Sequence, residues 1–112
     1  MMPDTDEPTT VVVLTTMPDE DAAESLAARL VEERSIACAN IVPRVTSIYR
    51  WDGEIRRDSE VLVVMKTTVG QADALQSRVE MLHPYDVPEV LVLPVVGGHA
   101  PYLEWVASEV AG

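Results

Sequence analysis

A predicted β-hairpin longer than the helix before it constrains the fold of this chain more than any other feature. Two runs of strand-forming residues, about Cys38–Trp51 and Glu54–Thr67, flank the pair Asp52-Gly53. This pair favours a two-residue type I′ turn, because both central residues of that turn need positive φ. Each arm of about 13 residues would extend about 43 Å at about 3.3 Å per residue. The preceding helix, predicted at about Pro18–Glu33, would be about 24 Å long.

The helix is therefore expected to cover only about half of the ribbon. The other half carries the apolar and aromatic side chains of Ile48, Tyr49, Trp51 and Ile55. These side chains and a free sheet edge would face water unless a second subunit covered them. The length of the hairpin thus predicts self-association through these residues.

The remaining segments alternate between strand and helix patterns. Val11–Leu14 is a run of apolar, mostly β-branched residues that predicts a central strand covered on both faces. Apolar residues at helical spacing predict three helices, and Thr16 and Thr68 are the candidate N-caps of the first two. Pro43 predicts an edge position, a bend or a bulge in the first hairpin arm, because proline has no N–H to donate. The later elements are predicted as a helix at Ala72–Leu82, a strand at Pro88–Val95 and a helix at Pro101–Val110.

This order of elements predicts an α+β fold. The two halves repeat weakly, since Val13–Thr16 and Met65–Thr68 each close a strand and open a helix. Right-handed crossovers in a βαβ-βαβ order place the first and third strands side by side, with two helices on one face. We therefore expect a ferredoxin-like sandwich with an antiparallel sheet, an extended central hairpin and an extra C-terminal helix.

Composition restricts the classes of partner. The chain has 112 residues and a formal net charge of −11, which opposes binding to nucleic acid or anionic lipid. No apolar run reaches the length of about 18 residues that a membrane span needs. We expect a disordered acidic tail at residues 1–9 and one domain at residues 10–112. Cys38 is the only cysteine, which fits a cytoplasmic protein, and its apolar surroundings predict a small buried side chain.

Six short segments, taken in order and spacing, resemble the CutA family of divalent-cation tolerance proteins. They are Ala37–Ile41, Tyr49–Ile55, Lys66–Thr68, His83–Tyr85, Pro88–Glu89 and Tyr102–Trp105. The similarity extends from about residue 10 to the end of the chain. It implies a ferredoxin-like subunit, a tight homotrimer, an association with copper and other divalent cations, and no established enzymatic activity.

Metal chemistry centres on His83. Histidine at a helix end can ligate a transition metal at a subunit boundary, or it can cap the last helical turn. Some CutA relatives carry Cys where this chain has Thr15 and a second His where it has Leu82, so two good ligands are missing here. We therefore expect no tightly bound cofactor, and weak binding of Cu(II) or another divalent cation at most.

A second set of candidate residues comprises Tyr49, Trp51, Lys66, Tyr85 and Glu89. They are predicted to contribute interface packing and a salt bridge, or else a pocket for a small ligand between subunits. The second interpretation gives an alternative function, a trimeric regulatory protein that senses a small molecule. No phosphate-binding loop or catalytic motif is present, so we expect no enzyme. The strands also lack the aromatic platform of an RNA-binding sheet.

Overall fold

The computed structural model describes residues 9–111 of the chain. Residues 1–8, which make up nearly all of the predicted tail, lie outside this range. The described elements are β1 (Thr10–Met17), α1 (Glu20–Glu32), β2 (Cys38–Trp51), β3 (Glu54–Thr68), α2 (Ala72–Leu82), β4 (Leu91–Pro94) and α3 (Ala100–Glu109). A single 3₁₀ turn at Val69–Gln71 leads into α2.

The four strands form one antiparallel sheet in the order β2-β3-β1-β4. β1 and β3 are neighbours, paired from Thr10 opposite Thr68 to Met17 opposite Val61. This order confirms the ferredoxin-like prediction. It arises because each βαβ unit leaves room for one strand between its two parallel strands.

The long hairpin is confirmed. Its arms have 14 and 15 residues, and Trp51 pairs with Glu54 across the two-residue turn. Asp52 and Gly53 have φ of 54° and 79°, as a type I′ turn requires. The described part of the chain is 54 Å long and only 27 Å and 23 Å across. Residues 44–60, the part of the hairpin that we call the distal hairpin, therefore project beyond the helical layer.

Pro43 interrupts the hairpin ladder as predicted. The register shifts between Val42 and Val45, and Arg44 adopts a φ of 60°. A proline cannot donate to the neighbouring strand, so the extra residue is accommodated in a bulge. β2 is also an edge strand of the sheet, where such a defect costs least.

The main core lies between one face of the sheet and helices α1 and α2. Its fully buried side chains include Leu30, Leu75 and Val79 from the helices and Val13, Val63 and Met65 from the strands. These residues alternate along β1 and β3, so the neighbouring residues Val12, Leu14 and Val64 point to the opposite face. That face is only partly covered, and the prediction of a strand covered on both sides is wrong for a single chain.

Both predicted N-caps are wrong. Thr16 is buried within β1 opposite Leu62, and Asp19 caps α1 instead, accepting a hydrogen bond of 2.8 Å from the N–H of Ala22. Thr68 ends β3 and its side chain caps nothing, because a 3₁₀ turn intervenes before α2. In both cases pairing between β1 and β3 continues through the threonine, so the sheet outweighs the local preference for a cap.

A carboxylate joins α1 to α2. Glu33, at the C-terminal end of α1, accepts hydrogen bonds of 2.6 and 3.0 Å from the Arg78 guanidinium and one of 3.3 Å from Arg29. The hydrogen bonds from Arg78, followed by that from Arg29, lower the pKa of Glu33 to about 2. The pair therefore stays ionised over the whole physiological pH range.

Candidate functional site

His83 is buried at the C-terminal end of α2, with 8% of its surface exposed. Its Nε2 lies 2.8 Å from the carbonyl oxygen of Thr16, and its Nδ1 lies 3.1 Å from the backbone nitrogen of Tyr85. Since Nδ1 accepts from an N–H, the proton belongs on Nε2, which donates to Thr16. Both ring nitrogens are therefore engaged inside the chain, and a metal ion would have to displace one of these partners.

Two tyrosine–carboxylate pairs lie beside His83, where the distal hairpin begins. The Tyr85 hydroxyl donates to Glu60 at 2.7 Å, and the Tyr49 hydroxyl donates to Asp58. Burial and the Glu60 carboxylate raise the pKa of Tyr85, and the hydrogen bond to Asp58 raises the pKa of Tyr49. Both phenols are thus kept protonated as donors. Because the ring centroids of His83 and Tyr85 are 4.7 Å apart, this cluster fixes the loop that follows α2.

Lys66 does not join that cluster within one chain. Its amine contacts the Asn40 side chain, and it pairs across the sheet with Cys38. Lys66 and Glu60 are six residues apart on β3, which corresponds to about 20 Å of strand. Glu89 is exposed, and the ion pairs found within residues 9–111 do not include it. The seven predicted interface or pocket residues therefore fall into separate groups.

The distal hairpin carries the predicted apolar residues on two faces. Ile48 pairs with Arg57 and Ile55 pairs with Arg50, so both isoleucines lie on one face. Tyr49 and Trp51 lie on the other. All four side chains are exposed in the single chain, Ile48 by 57% and Ile55 by 62%.

The sheet also has a larger apolar surface, which was not predicted from the sequence. On the face away from α1 and α2, the side chains of Val12, Leu14, Leu62 and Val64 are only half-buried. We call this surface the open sheet face. Every residue of β4 beside it is exposed. The uninterrupted apolar runs of β1 and β3 indicate that both faces of these strands are covered. A sequence does not show whether the second face is covered by the same chain or by a neighbouring subunit.

Cys38 is half-buried, so the prediction of a buried side chain is wrong. Its Sγ lies 3.4 Å from the Tyr102 hydroxyl of α3, on the open sheet face. This contact, followed by burial, raises the pKa of Tyr102. Cys38 begins β2, which is an edge strand of the sheet, and this position leaves it partly exposed.

The two positions that differ from some CutA relatives offer no metal ligand. Thr15 is fully buried in the main core between Val13 and Met17. Leu82 is half-buried and lines a groove of about 290 Å³ between α1 and the end of α2, together with Met17, Leu26 and Pro84. The walls of this groove are mostly apolar.

The Thr15 hydroxyl gives a stability prediction. It is fully buried and has no hydrogen-bond partner among the described residues. A buried hydroxyl without a partner costs about 1–3 kcal/mol. We expect Thr15→Val to raise the free energy of unfolding by about 1 kcal/mol in chemical denaturation. Thr10→Val is the control, because Thr10 is also buried on β1 but its hydroxyl is not one of the fully buried groups without a partner among the described residues. A loss of stability in Thr15→Val would contradict the prediction.

The described residues bear on two of the predicted kinds of partner, metal ions and membranes. Between residues 9 and 111, no three or more His, Cys, Asp and Glu side chains come together in a way that would hold a metal ion. None of the helices α1 to α3 is long and apolar enough to cross a membrane.

The chain is similar in sequence to known proteins over most of its length. The model of the CutA1 divalent ion tolerance protein family matches residues 11–109. The divalent-cation tolerance protein CutA of Thermus thermophilus is 52% identical over 94 residues, covering 84% of this chain and 91% of that protein. Its counterpart in Escherichia coli is 46% identical over 97 residues, covering 87% of each chain. The chloroplastic protein CutA 1 of rice is 43% identical over 98 residues, covering 88% of this chain and 55% of that protein.

Solved structures agree with the sequence matches. The divalent cation tolerance protein of Thermus thermophilus superposes with a TM-score of 0.88 at 48% identity, covering 91% of this chain and 99% of the other. The CutA1 structure from rice superposes with a TM-score of 0.90 at 40% identity, covering 95% and 97%.

Proposed function

The chain belongs to the CutA1 family of divalent ion tolerance proteins, and from this membership we propose that it acts as a homotrimer in the cellular response to divalent metal ions, copper included. In this proposal the protein works in the cytoplasm, binds divalent cations weakly and catalyses no reaction. The observation that carries the proposal is the amount of apolar surface left exposed on a single chain. That surface comprises the open sheet face, β4 and the distal hairpin.

The two sheet edges support a ring of subunits. The N–H of Val95 donates to Thr10 at 3.1 Å, so alternation along β4 turns the N–H and C=O of Val92 away from β1. β4 therefore offers a free edge on one side of the sheet, and β2 offers another on the opposite side. A contact between β2 of one subunit and β4 of the next is heterologous, and such contacts form a ring when the rotation from subunit to subunit closes. The family resemblance implies a ring of three.

Charge distribution supports the same assembly. Four of the chain's eight Lys and Arg residues, Arg44, Arg50, Arg56 and Arg57, lie in residues 44–58, which contain only three of its 19 acids. Residues 44–58 thus carry a formal charge of +1, four arginines against three acids, on a chain with a formal charge of −11. These arginines would be attracted to the acidic surface of a neighbouring subunit.

The proposed weak binding of cations comes from the negative charge of the protein rather than from a preformed set of metal ligands. Three copies, each with a formal charge of −11, attract divalent cations diffusely and bring negative charges from several subunits together. We propose that His83 contributes to this binding once the loop containing Tyr85 moves away from Nδ1. Imidazole is a good ligand for Cu(II), and the neighbouring Glu60 supplies a carboxylate.

The metal proposal is tested by equilibrium dialysis of the assembled protein against Cu(II) and Zn(II). We expect saturable Cu(II) uptake with weak affinity, and uptake reduced by at least half in His83→Ala. His99→Ala is the matched control, because His99 is the other histidine of the chain and lies exposed at the start of α3. Equal loss in both variants would assign the uptake to histidine in general, and no saturable uptake by the wild type would remove direct binding from the proposal.

The alternative function, a small-molecule sensor, has one favourable observation. Tyr49, Asp58, Glu60 and Tyr85 converge at the hairpin base, as polar groups do in ligand sites. Lys66 lies too far along β3 to complete this site within one chain, so a neighbouring subunit would have to supply a cation. A thermal-shift screen with nucleotides and small carboxylic acids tests it, and a hit that disappears in Tyr85→Phe would favour this alternative over metal response.

A further inference from the structure

Helix α3 is attached to the rest of the chain by a small, separate cluster. Val106 and Val110 pack with Ala37 in a group that is distinct from the main core. Val106 is the only buried residue within the helix itself, and the other side chains are exposed or half-buried. Few buried apolar contacts are the mark of a segment that opens at lower free energy than the core around it.

Polar contacts at the C-terminal end of α3 compensate for this small apolar attachment. The Arg34 guanidinium donates from Nε to the carbonyl of Glu109 and from Nη2 to the carbonyl of Ser108, each at 3.2 Å. The Arg34 carbonyl accepts from the N–H of Ala111 at 2.9 Å, and Gln71 donates to the Ala111 carbonyl at 2.7 Å. The last carbonyls of a helix lack internal partners and carry partial negative charge, so a guanidinium stabilises them in two ways.

Arg34 reaches α3 because of its backbone conformation. It follows α1 with a φ of 62°, a left-handed conformation that ends the helix, and the N–H of Ser35 bonds back to Leu30 at 2.9 Å. Glycine is the usual residue at such a position, because it adopts positive φ without steric cost. Arg34 adopts this conformation in spite of the steric cost, and its guanidinium contacts Glu109, 75 residues later in the sequence.

The N-terminal half of α3 covers Cys38. The Tyr102 hydroxyl lies 3.4 Å from Sγ, and no side chain caps the start of the helix at His99. The helix is therefore held at its C-terminal end by Arg34 and Gln71 and in the middle by Val106. Towards its N-terminal end it has the half-buried Leu103 and the contact between Tyr102 and Cys38. Movement of α3 would uncover Cys38 and lengthen the open sheet face.

We propose that α3 is a hinged cover that opens as a unit without unfolding of the main core, and that Arg34 is the latch that keeps it closed. The Gly97-Gly98 pair between β4 and α3 supplies the hinge, since neither backbone is crowded by other elements apart from the Leu103 side chain. This inference concerns contacts within one chain. Because Cys38 lies on the open sheet face, which a neighbouring subunit would cover in the proposed trimer, sedimentation velocity first has to give Arg34→Gly the same mass as the wild type, so that a change in labelling reports on α3 and not on assembly.

The test compares Arg34→Gly with the wild type. Glycine keeps the left-handed backbone while it removes the arginine side chain with its guanidinium, so α1 still ends where it does. Loss of two charge-assisted hydrogen bonds predicts about 10- to 100-fold faster labelling of Cys38 by dithionitrobenzoate in native buffer. Hydrogen exchange followed by mass spectrometry is expected to show the same increase for the amides of α3 and none for β1 and β3.

Arg78→Ala is the control. Alanine replaces this arginine because Arg78 lies inside α2, where glycine would destabilise the helix. The substitution removes a guanidinium that binds Glu33 and makes none of the hydrogen bonds that hold α3, so it should leave the labelling rate unchanged. Cys38→Ser confirms that the label reports on this thiol. A rate of Cys38 labelling in Arg34→Gly within twofold of the wild-type rate would overturn the proposed role of Arg34. Faster exchange of β1 and β3 together with α3 would overturn the opening of α3 as a separate unit.

Discussion

Replacement of Ile48 and Ile55 together by aspartate is expected to convert the assembled protein into folded monomers. Both side chains are more than half exposed in a single chain, so the substitutions cost the isolated fold little. Covering an isoleucine with a neighbouring subunit contributes about 1.5–3 kcal/mol. Loss of two such contacts weakens each interface by about 3–6 kcal/mol, or roughly 10²- to 10⁴-fold. Two buried, unpaired carboxylates would weaken it further.

The control for this double variant is Met81→Asp. Met81 is 72% exposed on α2, outside the surfaces proposed to meet in the trimer, so its replacement should leave the oligomeric state unchanged. Sedimentation velocity at micromolar and nanomolar concentrations measures the mass, and circular dichroism reports whether the subunits stay folded. A folded wild-type monomer, or a double variant with wild-type mass, would contradict the trimer proposal.

His83→Ala is expected to lower the free energy of unfolding by about 2–4 kcal/mol. The substitution leaves the Thr16 carbonyl without a donor and the Tyr85 N–H without an acceptor. A buried polar group without a partner costs about 1–3 kcal/mol, and the lost ring adds a cavity. The loop that holds Tyr85 against Glu60 should also loosen.

Chemical denaturation measures this loss, and the double variant Tyr85→Phe/His83→Ala reports whether the two residues act together. Coupling between them is expected, since the His83 ring orients the backbone that positions Tyr85. His99→Ala should change stability by less than about 0.5 kcal/mol, as surface substitutions usually do. Equal stability of His83→Ala and the wild type would show that the hydrogen bonds of the imidazole are replaced by water.

Much of the fold follows from local sequence signals. Asp52-Gly53 specified the hairpin turn, and the register counted outward from it agrees with the observed pairing as far as Val45 opposite Glu60, because a two-residue turn fixes the pairing. Beyond the bulge at Pro43 the pairing shifts by one residue. The apolar stripe of α1 was also predicted correctly at four positions, whereas Val31, the fifth, is exposed. Helix starts were predicted poorly, since Thr16 and Thr68 are good caps in isolation but stay paired in the sheet.

The candidate site was harder to predict. His83, Tyr49 and Tyr85 were predicted from the sequence, but Glu60 and Asp58, the hydrogen-bond partners of the two tyrosines, were not. Contacts of this kind depend on which residues of β3 lie opposite the loop after α2, and nothing in the local sequence encodes that distance. The Arg34 contact with α3 was missed for the same reason.

The sequence by itself determined the order of elements, the length of the hairpin and the family, because periodicity, turn chemistry and motif spacing are properties of neighbouring residues. Only the tertiary structure decided which face of the sheet remains open, which partners engage His83 and where Lys66 lies relative to Tyr85. Those outcomes depend on the packing of segments that are distant along the chain, and packing is set by the whole set of contacts rather than by any one segment.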